Sequence, residues 1–88
     1  NMIIKAGINI YPEEIEVAVN ELDEISDSVV FKVIKDDQTY IYLNYIGDIT
    51  EDDLRKKLVS ILNPNIIPNK IQKVETIAKT ASGKKVRR

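Results

Sequence analysis

Apolar positions recur along this chain with two different periods, and those periods divide it into elements. In "YPEEIEVAVNEL", Ile15, Ala18, Val19 and Leu22 fall at i, i+3, i+4 and i+7, which predicts an amphipathic helix. Pro12 suits its first turn, where a missing N–H costs nothing. Glu13, Glu14 and Glu16 complement the positive end of the helix dipole and read as a solvated first turn rather than as acid–base groups. In "TEDDLRKKLVSIL", Thr50 is a good N-cap with Asp53 three residues on, and Leu54, Leu58, Ile61 and Leu62 form the predicted buried stripe. Arg55, Lys56 and Lys57 are its expected wet side. Pro64 and Pro68 in "NPNIIPN" then stop the helix.

A shorter period marks the strands. "SDSVVFKVIKDDQTYIYLNYIG" carries two runs of β-formers on either side of Asp36 and Asp37, so it reads as two antiparallel strands around a turn. Ile41, Leu43 and Tyr45 alternate with Tyr40, Tyr42 and Asn44, giving one face more apolar than the other. "KIQKVETIA" is a third strand candidate. At the start, Ile3 and Ile4 precede Gly7, and Ile8 and Ile10 follow it, so a short hairpin or sharp loop fits. The order of elements predicts an α+β domain: a small antiparallel or mixed sheet with helices packed on it, preceded by a short hairpin. With 88 residues the chain makes one domain, residues 1–88.

Charge changes this picture. The net charge of -1 hides a division: residues 1–69 carry 6 Lys/Arg against 13 Asp/Glu, and residues 70–88 carry 7 against 1. A basic end on an acidic body calls for an anionic partner at that end. Nucleic acid is a poor fit, because this segment has no aromatic residue to stack on bases and no basic recognition helix. Cysteine and histidine are both absent, which leaves no disulfide framework, no zinc site and no histidine base. No apolar run approaches the ~20 residues of a membrane helix, and a cytoplasmic compartment is compatible with the composition.

The basic end closes on "TASGKKVRR". A phosphate-binding P-loop would need glycine where Ala78 stands and Ser or Thr where Lys85 stands, so that motif is rejected. What remains is a lysine beside a glycine on a basic strip, suited to a carboxylate or phosphate oxygen. With no nucleophile–base pair and no metal cluster, most of any active site lies elsewhere. A non-enzymatic anion-binding module with a basic tail is the alternative.

"KAGINIYPEEIE" near the start and "KTASGKKVRR" at the end, in that order and at that separation, resemble the C-terminal domain of the adenylate-forming ligases. These are the AMP-forming acyl-CoA synthetases, peptide-synthetase adenylation domains and luciferase relatives. The resemblance implies a mobile domain that serves a much larger N-terminal domain holding the nucleotide and acyl pockets, with the family's hinge just upstream of Asn1. It implies two half-reactions, which use ATP with magnesium, a carboxylic acid, and a thiol from coenzyme A or a carrier protein. This domain alone would bind no cofactor or metal. In the adenylation pose the matching lysine is Lys84, supported by Ser82 and Gly83. In the thioester pose Lys5, Ala6, Gly7 and Ile8 line the thiol tunnel. Two departures stand out: Ala78 where the family commonly has proline, and Lys85 where it commonly has an aliphatic residue.

Overall fold

A computed structural model describes residues 2–86. Two short strands, β1 (Ile3–Lys5) and β2 (Ile8–Ile10), form the opening hairpin and are followed by helix α1 (Pro12–Asn20). Strands β3 (Ile25–Lys35) and β4 (Gln38–Gly47) pair antiparallel, helix α2 (Glu51–Ile61) follows, and β5 (Lys70–Lys73) completes the sheet. The sheet order is β3-β4-β5, with β5 parallel to β4, so the sheet is mixed.

One sheet face makes the core. Val30 and Ile71 flank Leu43 across the ladder, and Ile41 and Tyr45 lie two residues to either side of it on β4. All five are buried against Ile15 and Val19 of α1 and Leu54 and Leu58 of α2. Ile3 and Ile10, paired across the opening hairpin, join the same cluster. The buried Tyr45 hydroxyl donates to the Ile49 carbonyl at 2.6 Å, which fixes the chain between β4 and α2. Thr50 caps α2 as expected, its side chain accepting the Asp53 N–H at 3.2 Å.

Three expectations are corrected. Ile61 is 47% exposed, because Leu62 leaves helical geometry with ψ 148° and takes the buried place instead. Arg55 is not simply wet: its guanidinium donates to the Pro68 and Asn69 carbonyls at 2.9 and 3.2 Å and ties α2 to the approach of β5. The third strand is shorter than its apolar pattern, ending at Lys73, after which the Val74 N–H donates to the Tyr45 carbonyl.

On each edge strand of the sheet a helix carboxylate takes up one backbone N–H. Glu16 of α1 accepts the Val30 N–H of β3 at 2.7 Å, and Glu51 of α2 accepts the Lys73 N–H of β5 at 2.8 Å. An unprotected edge would be a template for pairing with another chain.

At Gly47 a Cβ would run into the Glu24 carbonyl and the backbone of Ile25. Gly47→Ala is therefore expected to destabilise the domain by about 1–3 kcal/mol, as overpacking does, measured as a lower urea midpoint with unchanged slope.

Candidate functional site

The chain returns after β5 as a small closed loop. Lys79 and Lys85 form an isolated antiparallel bridge, and the Val86 N–H donates to the Ala78 carbonyl. Inside it, the Thr80 N–H donates to the Lys84 carbonyl at 2.6 Å and the Gly83 N–H to the Thr80 carbonyl at 2.9 Å. The Lys84 N–H donates to the Thr80 hydroxyl, which lies 3.1 Å from that of Ser82. Gly83 sits at φ +85°, a conformation that costs glycine nothing and side-chain-bearing residues about 1 kcal/mol or more. Ser82 and Gly83 thus shape the turn that carries Lys84.

The two adjacent lysines have opposite surroundings. Lys84 is exposed, and among the described residues its ammonium meets no acceptor. Lys85 is turned inward, its side chain 20% exposed, with its ammonium 3.1 Å from an Asp27 oxygen and 3.5 Å from a Glu16 oxygen. It also donates to the Ser28 carbonyl on the outer edge of β3. Lys79 reaches the second Asp27 oxygen at 3.3 Å. Two ammonium groups and two carboxylates thus fasten the base of the loop to β3 and α1. Glu16 is no solvated first-turn residue: it is 5% exposed and bridges Val30 and Lys85. Partial burial works to raise the Asp27 carboxyl. Lys85, the Ser28 N–H and Lys79 together outweigh it, so the group lies below the ordinary aspartate value.

The glycine loop stands elsewhere. Ala6 and Gly7 take φ of +51° and +77°, making the two-residue turn between Lys5 and Ile8. Only Gly7 does so freely; Ala6 is strained by its Cβ. The Lys5 ammonium donates to Asn69 Oδ1 at 2.7 Å, and the same oxygen accepts the Ile41 N–H at 2.8 Å. Ile41 pairs with Lys32. Along β3, Lys32 is ~13 Å from Ser28, where Lys85 is bound, at ~3.3 Å per residue. The two loops therefore attach to different parts of the sheet.

A cavity of about 220 Å³ lies beneath the returning chain, lined by Val29, Phe31, Asn44, Thr76, Ile77, Ala78 and Val86. A larger depression of about 530 Å³ at the start of α2 mixes Glu24, Asp48 and Asp53 with Lys56, Lys57 and Lys73. It includes none of the candidate site residues Lys5, Ala6, Gly7, Ile8, Ser82, Gly83 and Lys84. Among the described residues no cluster of three or more acidic, His or Cys side chains could hold a metal ion.

No family model matches the chain. The 2-succinylbenzoate–CoA ligase of Staphylococcus aureus (strain bovine RF122 / ET3-1) is 33% identical over 89 aligned positions, which cover 96% of this chain and 18% of the relative. The fold matches ATP-bound MatB from Rhodopseudomonas palustris with a TM-score of 0.86 at 24% identity, over 96% of this chain and 18% of that one. It also matches a double mutant of o-succinylbenzoate CoA synthetase from Bacillus subtilis, bound with its product analogue, with a TM-score of 0.87 at 20% identity, over 98% and 18%. The chain is a C-terminal domain of the adenylate-forming ligases. It spans 18% of the length of the curated relative named above.

In this ligase domain the sequence-derived residues form two groups, Ser82, Gly83 and Lys84 on one loop and Lys5, Ala6, Gly7 and Ile8 on the other. The remaining tail cations, Arg87 and Arg88, and the hinge near Asn1 lie outside the described residues. Glu16, Asp27 and Asn69 were not singled out from the sequence as parts of either loop's setting. For Glu16 a signal existed: with Pro12, Ile15 and Val19 it completes an i, i+3, i+4, i+7 stripe, so a charge stands on the buried face. Asp27 and Asn69 carry no such signal, since their partners are distant in sequence.

The Asp27 carboxyl is held low, so its stabilisation is complete above the ordinary aspartate value and is lost as pH falls through the lower folded one. The stability difference between wild type and Asp27→Asn is expected to be flat from about pH 7 to 5 and to shrink below about pH 4, measured by urea denaturation across pH.

Proposed function

We propose that this domain serves an ATP-dependent, AMP-forming acid–thiol ligase and supplies its adenylation lysine, Lys84. The observation that carries the assignment to Lys84 is the contrast between the neighbours. Lys85 is occupied by Glu16, Asp27 and Ser28, while Lys84 is exposed at the turn beside Gly83.

In the first half-reaction a carboxylate oxygen attacks the α-phosphorus of ATP, and pyrophosphate leaves. Both reactants are anions and repel. A cation delivered between them offsets that repulsion and holds the line of attack. Lys84 needs only its charge and its reach for this. In the second half-reaction a thiol sulfur attacks the acyl carbon, and AMP leaves with the mixed-anhydride oxygen. The loop from Lys5 to Ile8 is assigned to this step, where the turn at Gly7 gives a backbone edge beside the thiol arm. The Lys5 ammonium stays with Asn69 and orients that loop rather than binding a phosphate. The separate attachments of the two loops support their use in different poses against the larger N-terminal domain, which is the partner implied.

The acid pocket, the nucleotide pocket and any magnesium belong to that larger domain on this reading. The names of the relatives favour coenzyme A over a carrier-protein thiol as the acceptor, and make 2-succinylbenzoate the first acid to try. A cytoplasmic compartment, where ATP and coenzyme A are supplied, is consistent with this reading; no described helix is long and apolar enough to cross a membrane.

In the full-length enzyme, Lys84→Ala is expected to slow ATP- and acid-dependent pyrophosphate release by about 10²–10³-fold, as for loss of one preorganised charge. Thioester formation from supplied acyl-adenylate should change far less. Equal losses in the two steps would contradict the role given to Lys84.

A further inference from the structure

We propose that Lys85 is the positioning residue of the adenylation step, and that its seat between Glu16, Asp27 and Ser28 sets where Lys84 stands. The inference rests on the assignment of Lys84 above and adds a residue that acts through it. Lys85 makes no contact with the reacting groups in this role.

The geometry supports the link directly. The Lys85 ammonium has three acceptors on two elements: Glu16 of α1, and Asp27 and Ser28 of β3. Its backbone is the bridge partner of Lys79, whose own ammonium holds the other oxygen of Asp27. Both sides of the loop's base are therefore fastened to one carboxylate. From that base, hydrogen bonds between Thr80 and the backbone of Lys84 and Gly83 close the turn. Lys84 is one residue from an anchored ammonium, and among the described residues its own ammonium has no anchor. Its position is inherited from the base.

The chemistry makes this matter. An ammonium delivered between a carboxylate and a phosphate works only when it arrives at the right place, and small misplacements of reacting groups cost large factors in rate. A tethered but unfastened lysine would spread its charge over a wider volume and spend less time at that place. The anchoring side chains are themselves largely buried: Glu16 is 6% and Asp27 is 21% exposed at the side chain. Salt therefore screens this fastening less than it would an exposed pair. Glu16 is additionally held by the Val30 N–H, so the anchor is part of the sheet edge and not a surface charge.

The test uses the full-length enzyme with its two half-reactions measured separately. Lys85→Gln is expected to lower kcat for pyrophosphate release about 10- to 100-fold. KM for ATP and acid should stay within about twofold, since those pockets lie in the other domain, and the thioester rate from supplied acyl-adenylate should do the same. In a Lys84→Ala background, Lys85→Gln should cause no further loss, because a residue acting through Lys84 has nothing left to position. Asp27→Asn is the second variant, which retains Lys85 but weakens its hold, and it must show the same split between half-reactions. Wild-type adenylation by Lys85→Gln would overturn the proposal, as would losses that multiply with Lys84→Ala, or equal damage to both half-reactions in both variants. A loss in Lys85→Gln as large as in Lys84→Ala, with undiminished rate in neither, but additive in the double variant, would assign Lys85 to the reacting anions and likewise overturn it. Unimpaired adenylation by Lys84→Ala would instead defeat the reading of Lys84 itself.

Discussion

The carboxylate of Glu16 joins the three parts on which this domain depends. It projects from α1, accepts the Val30 N–H on the outer edge of β3, and meets the Lys85 ammonium of the returning chain. A buried carboxylate is costly unless it is paired and hydrogen-bonded. Here it has both kinds of partner, and removing either would leave charge in a site that is largely closed to water. The helix, the sheet edge and the basic loop are thus held to one another by a single group. Asp27 completes the arrangement by dividing its two oxygens between Lys79 and Lys85. Among the described residues two ammonium groups there face two carboxylates, so the basic end meets complementary charge where it folds against the acidic body.

A second joint does for the glycine loop what this one does for the basic loop. Asn69 Oδ1 accepts from both Lys5 and the Ile41 N–H, while Arg55 holds the carbonyls of Pro68 and Asn69. Each loop thus carries left-handed backbone at its turn and is fastened to the sheet by side chains from distant elements. On the proposed reading, in which the domain presents different faces in turn, each loop has to keep its shape while the other is in use. Separate anchors on a shared, rigid core meet that need.

Much of the fold was legible in the chain. The 3.6-residue period marked both helices, Thr50 marked a start, and β-formers around Asp36 and Asp37 marked the long hairpin, whose turn residues take φ of +50° and +63°. These are local signals, decided within a few residues. Apart from Ile61 and the length of the third strand, the errors concerned charged side chains whose partners lie far along the chain. Arg55 was read as solvated because neighbours alone cannot reveal a carbonyl brought up by folding; for Glu16 the stripe marks burial but not the ammonium that pairs it. The Lys85 contact with Ser28 spans 57 residues. The glycine at position 83 marked the turn beside the two lysines, but the difference between Lys84 and Lys85 exists only once β3 and α1 are assembled beside them.

That difference is the feature on which the functional reading turns, and lysine reactivity measures it directly. The folded chain would be treated briefly with an amine-acylating reagent, and the modification of each lysine followed by mass spectrometry, beside the same chain in denaturant. Lys84 is expected to react as an exposed lysine, and Lys85 much more slowly, with the two becoming alike on unfolding. Equal rates in the folded chain would contradict the anchoring of Lys85 and, with it, the distinction between a held lysine and a delivered one.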